Sequence, residues 1–187
     1  MKDMVRIGGR LALICAVAAA ILGLMNAVTE PKIEQIKQER LQTALAQVSE
    51  GMKVGEPEEV RDNETVTTYY PLFEGEESGA PAGYICRLIG TGYGGDMVIL
   101  AGFRKNGEVF AVQMMENQET PGLGKEAEKA AYMAKYIGKG ADEPIPLRKD
   151  MLNQEEADAV TGATITFIGI AKALISGSEF IENLEGN

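Results

Sequence analysis

The first long apolar block decides how the chain is organised. Residues 11–28 carry no charge, and with residues 7–9 in front the block is long enough, at about 1.5 Å per residue, to cross a bilayer as a helix. A cleaved signal peptide and a buried core helix are the other readings, but the run exceeds the usual apolar region of a signal peptide. Ile14 before Cys15 speaks against a lipidated cysteine, which wants a small residue there. After Pro31, the positions Ile33, Ile36, Leu41, Leu45 and Val48 recur at helical spacing among Lys, Glu and Gln, which predicts a stalk helix with one apolar face over 29–50. Residues 50–63 are polar and punctuated by Gly51, Gly55 and Pro57, so they read as a loop.

Four segments rich in β-branched and aromatic residues follow, at 65–70, 82–89, 97–104 and 108–115, and each predicts a strand. Asn106-Gly107 between the last two predicts an antiparallel hairpin closed by a type I′ turn, in which both central residues have positive φ. Helical patterning returns at 126–137. A Gly/Pro-rich loop occupies 138–146, and a last apolar helix begins near Ala163 or Thr164. Consecutive strands followed by helices predict an α+β fold, mainly antiparallel sheet with flanking helices, preceded by one transmembrane helix. The expected division is 1–6 cytoplasmic, 7–28 transmembrane, 29–50 stalk and 51–187 an extracytoplasmic domain.

Charge gives this division a direction. The chain has a net charge of −10. Lys2, Arg6 and Arg10 against Asp3 leave about +2 before residue 29, so the remainder carries about −12. Basic residues before the apolar block, with Glu30, Glu34 and Glu39 after it, put the N-terminus in the cytoplasm and the main domain outside. An acidic domain repels nucleic acid and anionic headgroups. In an oxidising compartment the unpaired Cys86 requires burial.

There is no histidine, which removes the usual nucleophile–His pairs, His-ligated haem and common zinc sites. The two cysteines, Cys15 in the apolar block and Cys86 in the later domain, cannot hold an iron–sulfur cluster. Redox chemistry, if the protein performs any, needs an organic cofactor.

The stretch Asp158-Ala159-Val160-Thr161-Gly162-Ala163-Thr164 crowds small residues at the entrance of an apolar helix. Unpaired first-turn amides and the positive end of the helix dipole make such an entrance a seat for phosphate, with hydroxyls at Thr161, Thr164 and Thr166. An ordinary threonine N-cap is the other reading. Glu119-Thr120-Pro121-Gly122-Leu123-Gly124-Lys125 predicts a tight loop whose backbone comes close to a flat ring, with Lys125 near phosphate or ring oxygen; a purely structural loop fits the same residues. Residues 90–96 form a glycine-rich turn displaying Tyr93, which either stacks on a ligand or stands on the surface. Neither a P-loop nor a dinucleotide-binding fingerprint is present.

The 158–164 run resembles the flavinylation motif of the FMN-binding domain family, in which an aspartate is followed, after two variable residues, by Ser or Thr, Gly, Ala and Thr. The 119–124 segment is similar to that of the G subunit of the Rnf ion-translocating electron transport complex, and to that of the related C subunit of the sodium-pumping NADH:quinone oxidoreductase. Asn117-Gln118 stand where Rnf relatives often have His or Lys. The resemblance implies covalent FMN, esterified through its phosphate to Thr164 by a flavin transferase that uses FAD. It implies a phosphate seat shaped by Thr161, Gly162, Ala163 and Thr166, and transferase recognition by Asp158. Flavin contacts would come from Glu119, Thr120, Leu123, Gly124, Lys125 and Tyr93. The expected protein is a single-pass electron-transfer subunit in the cytoplasmic membrane, within a ferredoxin:NAD oxidoreductase complex coupled to sodium or proton transport. Its partners would be the other membrane and peripheral Rnf subunits. The contrasting reading is a single-pass protein whose outer domain is a noncovalent ligand-binding or assembly module.

Overall fold

The computed structural model describes residues 2–75 and 79–186. Met1 of the expected cytoplasmic segment and residues 76–78 and 187 of the expected domain lie outside them. Two compact units divide the chain, residues 1–42 and 43–187.

Helix α1, Lys2–Val48, runs through Pro31 without a break; its residues up to Gln42 form the first unit and its last six belong to the second. Its apolar block leaves Leu11, Leu13, Ile14, Val17, Ile21, Leu22, Leu24 and Met25 all exposed. Among the described residues this block is apolar all round and exposed, which suits a lipid or protein surround, and the segment is long and apolar enough to cross a membrane. The expected sticky face is confined to the helix end: Ile33 and Ile36 are exposed, whereas Ala44 and Val48, in the second unit, are buried.

The second unit is an antiparallel sheet with helices on it. Strands β1 (Lys53–Val54), β2 (Glu58–Glu59), β3 (Val66–Phe73), β4 (Gly83–Thr91), β5 (Asp96–Arg104) and β6 (Val109–Glu116) pair in the order β1-β3-β4-β5-β6, with β2 also on β3. The stretch expected to be loop thus contributes two short edge strands. The β5–β6 hairpin forms as expected, but not with a type I′ turn. The Gly107 amide donates to the Arg104 carbonyl at 3.0 Å, and Gly107 has φ +80° while Asn106 stays out of the left-handed region. Asn106 instead accepts the Glu108 amide through its side chain at 3.2 Å. This is the three-residue solution, a turn followed by a left-handed glycine.

Helix α2 is only Ala130–Met133, flanked by 3-10 turns at Gly124–Glu128 and Ala134–Tyr136, where the sequence pattern predicts one helix. Lys129, in extended conformation, breaks the run, and the broken path buries Ala127, Tyr132, Met133 and Tyr136 together. Helix α3 (Gln154–Ala159) opens with a reciprocal Asn153–Glu156 capping box. Helix α4 (Thr164–Glu185) lies on the sheet, burying Phe167, Ile170, Ala171, Leu174 and Ile181 against Leu88, Met97, Ile99 and Phe103.

Contact between α4 and the β4–β5 end is unusually close. A Cβ on Gly169 would stand 2.1 Å from the Thr91 carbonyl oxygen, so only glycine permits this approach. The close crossing brings the start of α4 beside the turn that joins β4 to β5, where Tyr93 stands. Tyr136 fixes the segment after β6 to the same helix, donating to the Phe167 carbonyl at 3.2 Å and stacking on its ring. Three chain segments distant in sequence therefore meet at one end of the sheet.

Candidate functional site

At that meeting point is a cleft of about 450 Å³, within the range of small-molecule sites. Tyr93 comes from the β4–β5 turn, Glu119, Thr120, Leu123 and Gly124 from the loop after β6, and Gly162 to Thr166 from the entrance of α4. Of the residues nominated from the sequence, only Lys125, Thr161 and Asp158 are outside the lining. Ile165, half exposed on the wall, is a lining residue that no motif marked.

The α4 entrance carries no side-chain cap. Ala163 is the N-cap residue, and the first helical hydrogen bond runs from the Phe167 amide to its carbonyl at 3.0 Å. The amides of Thr164, Ile165 and Thr166 precede that ladder. Thr164 is the first helical residue, exposed and lining the cleft. An uncapped N-terminus with a hydroxyl beside it leaves the helix's positive end open to an anion. The threonine N-cap expected as the ordinary alternative is absent.

Glu119 is the structural centre of the cleft. It is buried, and its carboxylate accepts the Gly94 amide at 3.0 Å through Oε1 and the Thr166 hydroxyl at 3.0 Å through Oε2. Its own amide donates to Asn117 Oδ1 at 3.1 Å. A Cβ on Gly92 would lie 2.1 Å from Oε1 and one on Gly124 would lie 2.4 Å from Oε2, so two glycines make room for the carboxylate. The residue expected to touch a ligand thus chiefly ties the Tyr93 turn and the α4 entrance to its own loop. Behind it lies Tyr132, whose hydroxyl is buried and makes no hydrogen bond among the described residues. Burial, and then the negative charge of Glu119, push the ionisation of that hydroxyl up.

Lys125 pairs with Glu128 at 3.5 Å rather than facing the cleft. Asp158 is exposed and accepts the Gln154 side-chain amide at 3.0 Å. Thr161 donates to the Ala157 carbonyl at 3.0 Å and accepts from Lys149 Nζ at 3.1 Å. Lys149 is a cation that no motif marks, because it comes from outside the 158–164 run, on a 3-10 turn at Lys149–Met151. Cys86 is fully buried in the sheet, and burial pushes its thiol far up, so this free cysteine is shielded from solvent.

These residues fit a flavin nucleotide. Open helix amides and hydroxyls suit a phosphate, the glycine-lined loop admits a flat ring, and Tyr93, Leu123 and Ile165 supply apolar walls. Among the described residues no group of three His, Cys, Asp or Glu side chains stands together as a metal site.

Comparison with known proteins gives the same reading. The FMN-binding domain family matches residues 92–177, and the RnfG N-terminal region matches residues 1–48. The G subunit of the ion-translocating oxidoreductase complex of Shewanella oneidensis is 31% identical, the alignment covering 92% of this chain and 87% of the relative. Its counterpart in Shewanella baltica is 29% identical over 98% of this chain and 92% of its own length. The G subunit of the Na(+)-translocating ferredoxin:NAD(+) oxidoreductase complex of Acetobacterium woodii is 29% identical, with 94% and 88% covered. In fold, the crystal structure of Shewanella oneidensis NqrC matches with a TM-score of 0.50 over 64% of this chain and 60% of that one, at 21% identity. An apolar membrane-length helix followed by a sheet domain with this cleft, and relatives aligned along nearly the whole chain, make it a single-pass member of the G-subunit family of ion-translocating oxidoreductase complexes, with an FMN-binding domain.

Proposed function

We propose that the domain carries FMN as a phosphoester on Thr164 and serves as an electron relay within an ion-translocating oxidoreductase complex, on the outer side of the cytoplasmic membrane. The observation that carries this reading is the uncapped α4 entrance, with Thr164 at its first position inside a cleft large enough for the nucleotide. FMN, when bound, supplies a centre that takes up and passes on electrons singly or in pairs.

The chain's own residues bind and orient. First-turn amides of α4 receive the phosphate, and Gly162, at φ +85°, turns the backbone so that Ala163 and Thr164 face the cleft. Leu123 and Tyr93 would give the ring apolar contact, while Glu119 ties the Tyr93 turn and the α4 entrance to its own loop. Asp158, outside the cleft, serves recognition by the modifying enzyme; Thr161, expected in the phosphate seat, lies just outside the lining with its hydroxyl held by the Ala157 carbonyl and Lys149. The basic residues before α1's apolar block and the acidic ones after it favour a cytoplasmic N-terminus. Like its relatives, the chain would work beside other subunits of such a complex, with ferredoxin and NAD handled by those subunits.

Co-expression with a flavin transferase, followed by intact-mass measurement and in-gel fluorescence after denaturation, tests the ester. One FMN per chain is expected, and none in Thr164→Val. A label that survives this substitution would move the attachment to Thr161 or Thr166; a flavin that washes away on denaturation would sink the covalent reading.

A further inference from the structure

Lys149 is half-buried, yet among the described residues no carboxylate pairs with it. Asp150, its neighbour in sequence, is taken by Arg148 through two hydrogen bonds of 3.1 and 2.9 Å. Other lysines near the cleft are also occupied, Lys125 by Glu128 and Lys129 by Glu126. Lys172 likewise has no carboxylate partner among the described residues, so what sets Lys149 apart is its place at the 158–164 segment. Its ammonium rests on the Thr161 hydroxyl, which is itself oriented by donation to the Ala157 carbonyl.

Thr161 stands three residues before Thr164, and the connection is tight. The Thr161 amide donates to the Asp158 carbonyl at 3.0 Å and the Ala163 amide to the Val160 carbonyl at 3.2 Å, with Gly162 left-handed between them. The chain therefore passes from α3 into α4 in a single compact turn. Lys149 holds this turn at Thr161, just before the cleft lining begins at Gly162, and the open amides of Thr164 to Thr166 belong to lining residues. Both carry positive potential to the same short segment, and the lysine has donors to spare: an ammonium has three, and Thr161 uses one.

We propose that Lys149 is the residue that recognises the phosphates of the incoming flavin dinucleotide when Thr164 is esterified, which rests on the ester reading above. In that step Thr164 Oγ bonds to the FMN-side phosphorus of FAD and the bond to the adenylate phosphate breaks. Adenylate leaves, the hydroxyl proton goes to solvent, and nothing is oxidised or reduced. Lys149 forms no covalent bond; it offsets the negative charge gathered at the turn while the transferase works.

The test uses full-length chain produced without transferase and then labelled in vitro with purified flavin transferase and FAD, following the mass gain with time. Lys149→Met is expected to lower the initial rate about 10-fold, mostly by raising the half-saturating FAD concentration, and Lys149→Arg to restore most of it. Added salt should slow the wild type more than Lys149→Met. Lys125→Met, whose lysine is already paired, should label within twofold of wild type. Thermal midpoints of the unlabelled variants separate charge recognition from misfolding. Equal rates for Lys149→Met and wild type, or a loss that Arg does not restore and salt does not modulate, would overturn the proposal. A label persisting in Thr164→Val but slowed by Lys149→Met would instead refute Thr164 as the attachment point and leave the role of Lys149 standing.

Discussion

The Thr166 hydroxyl donates to the Glu119 carboxylate at 3.0 Å, joining two residues 47 positions apart in sequence. The other oxygen of the same carboxylate holds the Gly94 amide. One buried acid thereby ties together the three segments that make the cleft, and each bond has a consequence that can be measured.

Glu119→Ala should destabilise the domain by about 2–4 kcal/mol, because it leaves the buried Thr166 hydroxyl unpaired, frees the part-buried Gly94 amide and opens a void. Glu119→Gln should cost about 1 kcal/mol: its carbonyl oxygen can keep the Gly94 bond, and the Thr166 hydroxyl can turn to accept from the new amide. Urea denaturation of the unlabelled protein gives both numbers. Hydrogen exchange should quicken at Gly94 and the first turn of α4 in the Ala variant while the β5–β6 ladder is unchanged; a uniform rise would argue against a local tie.

Much of this domain is legible in the chain, and what is not legible shares a cause. The four long strands and the start of α4 are encoded locally, by β-branched runs and by small residues before an apolar helix. Tertiary packing overrides local pattern elsewhere. Residues 126–137 have helical periodicity, but Tyr132 and Tyr136 must both enter the core, and the backbone breaks at Lys129 to let them in. Strand β3 continues through Pro71 to Phe73 although proline marks a strand end, because Pro71 still pairs in register with Tyr84. The cleft residues are visible as motifs, but Glu119 as a tie, and Lys149 rather than Lys125 beside the 158–164 segment, depend on contacts across tens of residues or between separate turns. The Asn153-x-x-Glu156 capping box is different: it is a local signal for α3 that hydrophobic periodicity alone does not register.

Gly169→Ala tests the close crossing that sets the cleft. The added methyl would overlap the Thr91 carbonyl, so the helix must lift from the β4–β5 end. A loss of about 3 kcal/mol is expected, and FMN labelling should fall even at temperatures where the variant is folded. Full labelling with normal stability would mean that the crossing accommodates a methyl and does not set the geometry of the α4 entrance.

Stability should also depend on pH through Lys135. Its side chain is buried and its ammonium donates to the Tyr132 carbonyl and lies over the Tyr132 ring. Burial pushes its ionisation down from 10.5 to about 8, with the charge of Glu156 acting the other way. Between about pH 8 and 10.5 the unfolded chain keeps a proton that the folded chain has released, so the unfolded state binds more protons and stability rises with pH. The gain is lost as pH falls through about 8, and at about pH 7 the buried charge counts fully against folding. Thermal midpoints between about pH 7.5 and 9.5 should therefore climb more steeply in wild type than in Lys135→Met. Parallel slopes would assign the effect to another group.

Tyr93 separates ligand stacking from structure. It is 77% exposed at the tip of the β4–β5 turn and still borders the cleft, so its ring is held by little of the protein itself. Tyr93→Ala should change the stability of unlabelled protein by no more than about 0.5 kcal/mol. If the ring lies against FMN, the same substitution in labelled protein removes an aromatic neighbour and exposes one side of the flavin to water. Flavin fluorescence should then rise and the midpoint potential shift, with Tyr93→Phe staying near wild type because stacking needs the ring and not the hydroxyl. Unchanged fluorescence and potential in Tyr93→Ala would take Tyr93 out of the flavin site. They would leave Leu123 and Ile165 as the apolar walls, because those two side chains flank the α4 entrance independently of the turn.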